Sequence, residues 1–274
     1  MNKPKGIILI DKPKGKTSPE ITNEISEKLK TKAGHCGALD PYATGLLPIT
    51  LGKAVKIQEY LQKKDKKYRV EVETEKQVSK EKMKTALKSF EGRIKQIPPE
   101  KSAVKREERE RKIYKIKHIE KKGKKHVFNV ECQHGTYIRT LVKDLGEKIN
   151  TNIDLINLRR TKTGNWAEKD AWKLEEINQL IEKEEIEKAI ISMKDALKEL
   201  PEIEIKETAL TSIKHGEDLK TPGIEEINGK INKGKTVILT QGNTAIALGT
   251  ARKDKKEIKG KGIAVKTDKV LTKN

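Results

Sequence analysis

The sequence predicts an α+β protein with two domains, residues 1–200 and residues 201–274. In the first 200 residues, segments with alternating apolar residues, typical of half-buried strands, are interspersed with segments whose apolar residues recur every three or four positions, as on a helix. After Leu200 and Pro201 the pattern changes to short apolar runs separated by glycines, at the intervals of a small β-barrel. A chain of 274 residues is long enough for one large and one small domain.

The composition indicates a folded protein with a thin core and a polyanionic partner. Apolar residues make up 34% of the chain, 37% of residues are charged, and the net charge is +20. Such a balance favours nucleic acid, whose phosphates it neutralises. An anionic membrane is the alternative, but no strongly amphipathic basic helix and no run of roughly 20 apolar residues is present. The two cysteines are too few for a disulfide framework or a zinc site, so we expect a reducing, cytoplasmic location.

The first half of the chain begins with a predicted strand, GIILID, at residues 6–11. Ser18 then caps a predicted helix, with Pro19 as its first helical residue. Residues 96–112 carry two prolines and dense charge, which predicts an exposed loop or arm; on charge alone, a solvated surface and an RNA contact are equally good interpretations. The other predicted elements here are an apolar segment at 46–51, strands at 68–73, 113–119 and 127–132, and a helix through Met83, Leu87 and Phe90.

The second half begins with a predicted helix after residues 134–136, which places Leu141, Leu145 and Ile149 on one face. Residues 156–161 form a predicted strand or extended segment with two adjacent arginines. From residue 173 a helical pattern resumes, and Ile186, Ile190, Met193 and Leu197 follow a 3.6-residue period. Short strands are then predicted at 203–205, 235–239, 245–251 and 262–265.

Residues 32–57 contain a single carboxylate, Asp40, in a glycine-punctuated stretch. Asp40 precedes Pro41, and the simplest interpretation of that pair is an ordinary turn. The other reactive groups fit less well: the five histidines are not spaced as metal ligands, and His35 and Cys36, being adjacent in a loop, are expected to point apart. Asp40 is therefore the candidate reactive group, with an arginine as the partner that would hold it ionised.

Residues 34–57, GHCGALDPYATGLLPITLGKAVKI, resemble the catalytic motif of the TruB/dyskerin family of pseudouridine synthases. Four further segments resemble that family's other motifs in the same order: GIILIDKPKGKTS, KKYRVEV, GTYIRTLVKDLGEKI and LRRTKTG. Residues 201–274 are similar to a PUA domain, a small RNA-binding barrel. The resemblance implies a mixed, largely antiparallel sheet flanked by helices, a PUA pseudo-barrel, and isomerisation of uridine to pseudouridine in RNA without metal or organic cofactor.

The resemblance also implies roles for individual residues. Asp40 would be the nucleophile that attacks a flipped-out uridine, so that the base detaches, rotates and rejoins through C5. Tyr68 would stack on the flipped base, and Arg139 would pair with Asp40. The other implied residues are His35, which would occupy the space that the base leaves; Lys56, Tyr137 and Leu158, which would line the pocket; and Lys105, Arg106, Arg159, Arg160, His215 and Gly216, which would bind RNA.

Without the resemblance, Tyr68 would be interpreted as a core residue, Arg139 as a surface residue and Leu158 as packing. Cys36 replaces the hydroxyl residue usual at its position in the family, which weakens one local hydrogen bond.

Residues 97–116, IPPEKSAVKREERERKIYKI, are similar to the dyskerin branch, whose members act in H/ACA ribonucleoproteins with a guide RNA. The segment lacks the glycine-containing insertion expected in tRNA-specific members. In the dyskerin branch residues 96–112 would form a thumb that grips substrate RNA, and the PUA domain would hold the guide RNA's ACA end. The implied partners are rRNA or tRNA substrate, a small Nop-type zinc protein, a Gar-type protein and a kink-turn-binding ribosomal-type protein. The alternatives are an enzyme that modifies the T-arm of tRNA alone and a non-catalytic RNA-binding scaffold.

Overall fold

The strands of the protein form two sheets, which confirms the predicted α+β class. The structure is a computed structural model and describes residues 3–98 and 105–272. The strands are β1 (Gly6–Lys12), β2 (Ala33–His35), β3 (Thr44–Leu51), β4 (Lys66–Thr74), β5 (Gly92–Gln96), β6 (Arg109–Lys122), β7 (Lys125–Cys132), β8 (Ile153–Thr163), β9 (Trp166–Ala167), β10 (Trp172–Lys173), β11 (Glu202–Ile205), β12 (Leu219–Lys220), β13 (Ile224–Asn228), β14 (Thr236–Gln241), β15 (Thr244–Ala251) and β16 (Ile263–Val270).

The helices connect and cover these strands. They are α1 (Ser18–Lys28), α2 (Gln58–Gln62), α3 (Lys80–Lys88), α4 (Ile138–Ile149), α5 (Leu174–Glu182), α6 (Met193–Ala196) and α7 (Glu207–Lys214), with 3₁₀ turns at Gly52–Ile57, Glu168–Asp170, Ile186–Ala189, Thr221–Gly223 and Lys255–Glu257. Among the helices of the described residues, none is long and apolar enough to cross a membrane.

The larger sheet has the strand order β10-β1-β3-β8-β4-β7-β6-β5, with β2 on β3 and β9 on β8. Its pairs are antiparallel except β1 with β10 and β3 with β8, as predicted for a largely antiparallel sheet. Apolar residues of α1, α3, α4 and α5 pack with those of the sheet in one core. The smaller sheet has the order β12-β16-β15-β14-β11-β13 and a core of its own.

Strand β1 is apolar on both faces because each face packs into a different core. Ile8 and Ile10 lie in the core beneath the helices, whereas Ile7 and Leu9 lie in a second cluster. That cluster also contains Ile238, Leu248 and Leu271 from the C-terminal part of the chain. The two sheets are therefore joined by shared apolar packing.

The start of α1 differs from the prediction by one residue. Thr17, not Ser18, is the N-cap: its Oγ1 accepts from the Glu20 backbone N–H at 3.2 Å, and the Glu20 carboxylate accepts from the Thr17 N–H at 2.6 Å. This reciprocal arrangement is a capping box. Ser18 is fully buried, and its hydroxyl binds the backbone of Leu39 instead.

The predicted exposed arm at residues 96–112 is wrong at both ends. Gln96 is 2% exposed and ends β5, and residues 109–112 belong to β6, which pairs with β5. Residues 109–112 are all charged and so lack the apolar alternation that predicts a strand, although the β5–β6 hairpin extends through them. Residues 99–104 of the arm lie outside the described residues.

The structure divides the helical segment predicted from residue 173 into several short elements. Helix α5 ends at Glu182, and Glu184 adopts a left-handed φ of 58°. Ile191 then pairs with Ile7 of β1 through two backbone hydrogen bonds of 2.8 and 2.9 Å, so the backbone there is extended. The apolar residues at the predicted positions are packed, but they belong to separate short elements. Helix α7 and strands β12 and β13 were not predicted.

Two histidines whose sequence spacing did not predict a contact lie against each other inside the β6–β7 hairpin. The Nε2 of His118 and the Nδ1 of His126 are 3.1 Å apart, with the rings edge to face. His126 is fully buried and His118 is 9% exposed. Burial lowers the pKa of both, that of His126 to about 4.

Candidate active site

Asp40 lies in the loop between β2 and β3, and hydrogen bonds fix the backbone on both sides of it. The Leu39 N–H donates to the Ser18 hydroxyl at 2.8 Å. The Pro41 carbonyl accepts from the Gly15 N–H at 2.8 Å, and the Asp40 carbonyl accepts from the Ala43 N–H at 3.0 Å. The loop is thereby attached to the turn that precedes α1.

The side-chain ammonium of Lys12 also binds the backbone of the Asp40 loop and of the preceding turn. Lys12 is fully buried, and its Nζ donates to the carbonyls of Lys16 at 2.5 Å, Pro13 at 2.9 Å and Pro41 at 3.2 Å. Burial lowers the pKa of Lys12, and the negative charge of Asp40 acts in the opposite direction. Sequence analysis assigned no role to Lys12.

The Asp40 carboxylate is held by two side chains and remains partly open to solvent. Its Oδ2 is 3.1 Å from the Arg139 Nε and accepts a hydrogen bond from the Tyr42 hydroxyl at 3.1 Å. The Asp40 side chain is 31% exposed. Burial and the neighbouring charge of Asp40 raise the pKa of Tyr42, so Tyr42 stays protonated and donates. The structure thus brings Asp40 and Arg139 together and adds Tyr42, which sequence analysis missed.

Arg139 is oriented by the start of α4. Tyr137 is the N-cap, and it makes no side-chain capping bond of its own. The side chain of Gln96 binds the Tyr137 backbone instead: its Oε1 accepts from the Tyr137 N–H and its Nε2 donates to the Tyr137 carbonyl, both at 3.0 Å. Leu141 and Leu145 bury the opposite face of the helix, so the first turn and Arg139 have a fixed direction.

Tyr68 lies in β4 opposite Arg160 of β8, where the strand register shifts. Burial raises the pKa of the half-buried Tyr68, and the positive charge of Arg160 opposes that effect. Leu158, also predicted to line the pocket, is 5% exposed and lies opposite Val70.

The RNA-binding role predicted for the two adjacent arginines does not match their placement. Arg160 is 1% exposed, and its Nε and Nη2 donate to the carbonyls of Leu46 at 2.8 Å and Gly37 at 3.0 Å. Arg159 contacts both carboxylate oxygens of Asp11 at 3.0 and 2.9 Å, and its Nε contacts Glu168 at 2.5 Å. The named donors of both arginines are therefore occupied inside the protein.

Lys56 is also placed differently from the prediction. Its Nζ donates to the carbonyl of Val270 in β16 at 2.5 Å, so this side chain contacts the C-terminal sheet. Lys105, Arg106, His215 and Gly216 are exposed, where RNA could reach them.

His35 and Cys36 precede the Asp40 loop. Burial, together with the charge of Arg160, lowers the pKa of His35, which keeps the ring neutral at pH 7. The His35 carbonyl accepts from the Gln58 amide at 2.9 Å. Cys36 is fully buried, and burial raises its pKa to about 12, so it is a thiol and a poor nucleophile. Within residues 3–98 and 105–272, no three His, Cys, Asp or Glu side chains are grouped to hold a metal ion.

Three family models match consecutive parts of the chain. They are the TruB family pseudouridylate synthase N-terminal domain at residues 25–138, the tRNA pseudouridylate synthase B C-terminal domain at residues 139–200, and the PUA domain at residues 201–271. The chain belongs to the TruB family. It is an RNA pseudouridine synthase, an isomerase.

Curated members of the TruB family match over nearly the whole chain. The probable tRNA pseudouridine synthase B of Methanocaldococcus jannaschii is 38% identical over 276 residues, which cover 97% of this chain and 82% of that protein. The protein of the same name from Methanopyrus kandleri is 40% identical over 278 residues, with the same shares of each chain.

Solved structures of the TruB family share the fold. The crystal structure of a Cbf5-Nop10-Gar1 complex contains a chain that is 36% identical, with a TM-score of 0.87 over 98% of this chain and 85% of that one. A structure of an H/ACA RNP bound to a substrate RNA containing 2′-deoxyuridine contains a chain that is 33% identical, with a TM-score of 0.87 over 97% and 85% of the two chains.

Proposed function

We propose that this TruB-family enzyme converts guide-selected uridines of rRNA to pseudouridine as the catalytic subunit of an H/ACA ribonucleoprotein, with Asp40 as the nucleophile. The observation that supports the chemistry is the Asp40 carboxylate, which is partly open to solvent and fixed by Arg139 and Tyr42. Ion pairing with a guanidinium keeps a carboxylate ionised and directs it, which a nucleophile needs.

The reaction exchanges the C1′–N1 bond of uridine for a C1′–C5 bond, while C5 loses a proton and N1 gains one. The Asp40 carboxylate attacks C1′ of the flipped-out nucleotide as the C1′–N1 bond breaks. The detached base rotates, and C5 then displaces the carboxylate from C1′. Tyr68 stacks on the base and takes part in the proton transfer. Tyr137 and Leu158 line the pocket, and His35 occupies the space that the base leaves in the RNA.

The guide-dependent reading is supported by the likeness to chains solved in complexes named for Nop10, Gar1 and H/ACA RNP. By this proposal the partners are a guide RNA, a Nop-type zinc protein, a Gar-type protein and a kink-turn-binding ribosomal-type protein. Residues 1–200 are the catalytic domain and residues 201–274 the PUA domain. His215 and Gly216, exposed at the end of α7, bind guide RNA, and Lys105 and Arg106 of the thumb bind substrate.

Asp40→Asn tests the chemistry. The variant should bind substrate RNA with similar affinity but form no pseudouridine, because a neutral amide is not a nucleophile of comparable strength. Asp154→Asn, on an exposed residue of β8, is the matched control and should act like the parent protein. Pseudouridine formed by the Asp40 variant would show that the nucleophile is a different group.

The second candidate is an enzyme that acts on the T-arm of tRNA alone, as the names of the curated relatives suggest. Conversion of a target uridine is measured with guide RNA and partner proteins, and separately on a bare tRNA transcript. Equal rates in the two reactions would favour the tRNA enzyme, whereas a large excess with the guide would support the H/ACA proposal.

A further inference from the structure

Arg160 carries a buried positive charge that has no carboxylate partner. Its side chain is 1% exposed, and among the ion pairs of the described residues none includes Arg160. Its charge also lies near other basic groups: burial lowers the pKa of Lys12, His35 and Lys66, that of Lys66 to about 7, and the charge of Arg160 adds to each of these effects. Burying an unpaired cation costs several kcal/mol, so a neutral donor would be the less costly residue for a purely structural contact.

The partners of Arg160 lie on the elements that carry the two predicted catalytic residues Asp40 and Tyr68. Its Nη2 donates to the carbonyl of Gly37, three residues before Asp40, at 3.0 Å. Arg160 lies directly across the β4–β8 pair from Tyr68, and its positive charge opposes the rise in the pKa of Tyr68 that burial causes. Its Nε donates to Leu46 of β3 at 2.8 Å, which holds the guanidinium in place between them.

We propose that Arg160 is a positioning residue for pseudouridine formation, whose guanidinium, held by the carbonyls of Gly37 and Leu46, fixes the Tyr68 side chain relative to the Asp40 loop. This inference rests on the proposed function, because it assigns Arg160 a role only if Tyr68 takes part in the reaction. Arg160 acts through Tyr68 and does not contact RNA.

The test compares Arg160→Gln, which keeps a hydrogen-bond donor but removes the charge, with Arg160→Lys, which keeps the charge. Single-turnover rates and RNA affinities are measured separately. We expect Arg160→Gln to lower the rate by about 100-fold or more, in the range typical of a proton-transfer group. Arg160→Lys should be about tenfold faster than Arg160→Gln, because lysine keeps the positive charge but lacks the planar guanidinium. RNA affinity should change by less than about threefold in both variants.

A double-mutant cycle separates this role from a purely structural one. In a Tyr68→Phe protein, which keeps the ring but lacks the hydroxyl, Arg160→Gln should lower the rate further by less than about threefold. Arg69→Gln, on an exposed arginine beside Tyr68 in β4, is the control and should match the parent protein. Circular dichroism and thermal unfolding establish that each variant is folded; if Arg160→Gln is not, Arg160→Lys is used in the cycle.

Three outcomes would overturn the inference: losses of rate in the Arg160 and Tyr68 variants that multiply fully in the double variant, a loss of RNA affinity as large as the loss of rate, or a fully active Arg160→Gln protein. The parent protein in the same assay separates this inference from the proposed function. A parent protein that converts no uridine contradicts the proposed function. An active parent with fully active Arg160→Gln contradicts only the role of Arg160.

Discussion

The buried pair of His118 and His126 should make the protein less stable in mild acid. One ring donates a hydrogen bond to the other across 3.1 Å. If both rings were protonated, the acceptor would be lost and two positive charges would lie together. Burial, with a smaller effect of His118, lowers the pKa of the fully buried His126 from its ordinary value of 6.5 to about 4. In the unfolded chain the same ring takes up its proton at about pH 6.5.

Between pH 6.5 and pH 4 the unfolded state therefore binds more protons than the folded state, and the free energy of unfolding falls as the pH decreases. The contribution of His126 is fully present above about pH 6.5 and is lost by about pH 4. At about 1.4 kcal/mol for each pH decade, the loss amounts to about 3 kcal/mol.

The measurement is urea unfolding at several pH values between 7.5 and 4 for the parent protein and His126→Asn. The asparagine amide can donate or accept a hydrogen bond in place of Nδ1 but does not titrate, so the variant should lose about 3 kcal/mol less than the parent over this range. His215→Asn, at an exposed position at the end of α7, controls for replacement of a histidine as such. Equal losses in the parent and in His126→Asn would refute the reasoning.

Four further substitutions have expected outcomes. Gln96→Ala removes both hydrogen bonds to Tyr137 and should lower the single-turnover rate by about tenfold or more, with little change in RNA affinity, because Arg139 loses its fixed direction. Lys12→Met leaves three carbonyls without their donor and should reduce the free energy of unfolding by about 2 kcal/mol in urea titrations. Gly45→Ala should cost more than about 3 kcal/mol, because its φ is 98° and an added Cβ would lie 2.4 Å from a backbone oxygen. Gly15→Ala, with a φ of 96° and nothing within 4 Å, should cost only about 1–2 kcal/mol, and equal costs would contradict this steric argument.

The sequence was most informative where residue type determines backbone shape. The alternating strands, the periodic face of α4 and the glycine-punctuated loop around Asp40 were predicted because each pattern is local. The same local rules failed between residues 173 and 197, where buried residues keep a helical spacing although the chain turns. The backbone pairing of Ile191 with Ile7 is a long-range contact, and no local pattern reports it.

The candidate site was predicted only in part, because some of its contacts depend on the path of the chain and not on a local pattern. Arg159 and Arg160 look equivalent in the sequence, but neighbours in a strand point to opposite faces. One therefore meets Asp11 and the other meets the Gly37 carbonyl. Tyr42 could not be found either, because its hydrogen bond to Asp40 depends on the path of the loop.

Strand β1 has a consequence for how the protein unfolds. Its odd-numbered residues Ile7 and Leu9 share a cluster with Leu248 and Leu271, and its even-numbered residues belong to the core under the helices. Loss of the C-terminal sheet would remove part of the apolar cover from one face of β1, which is unfavourable for the apolar side chains that become exposed to water. Heat should therefore melt both sheets in a single cooperative transition, and a chain cut near Pro201 should aggregate and not survive as a smaller enzyme.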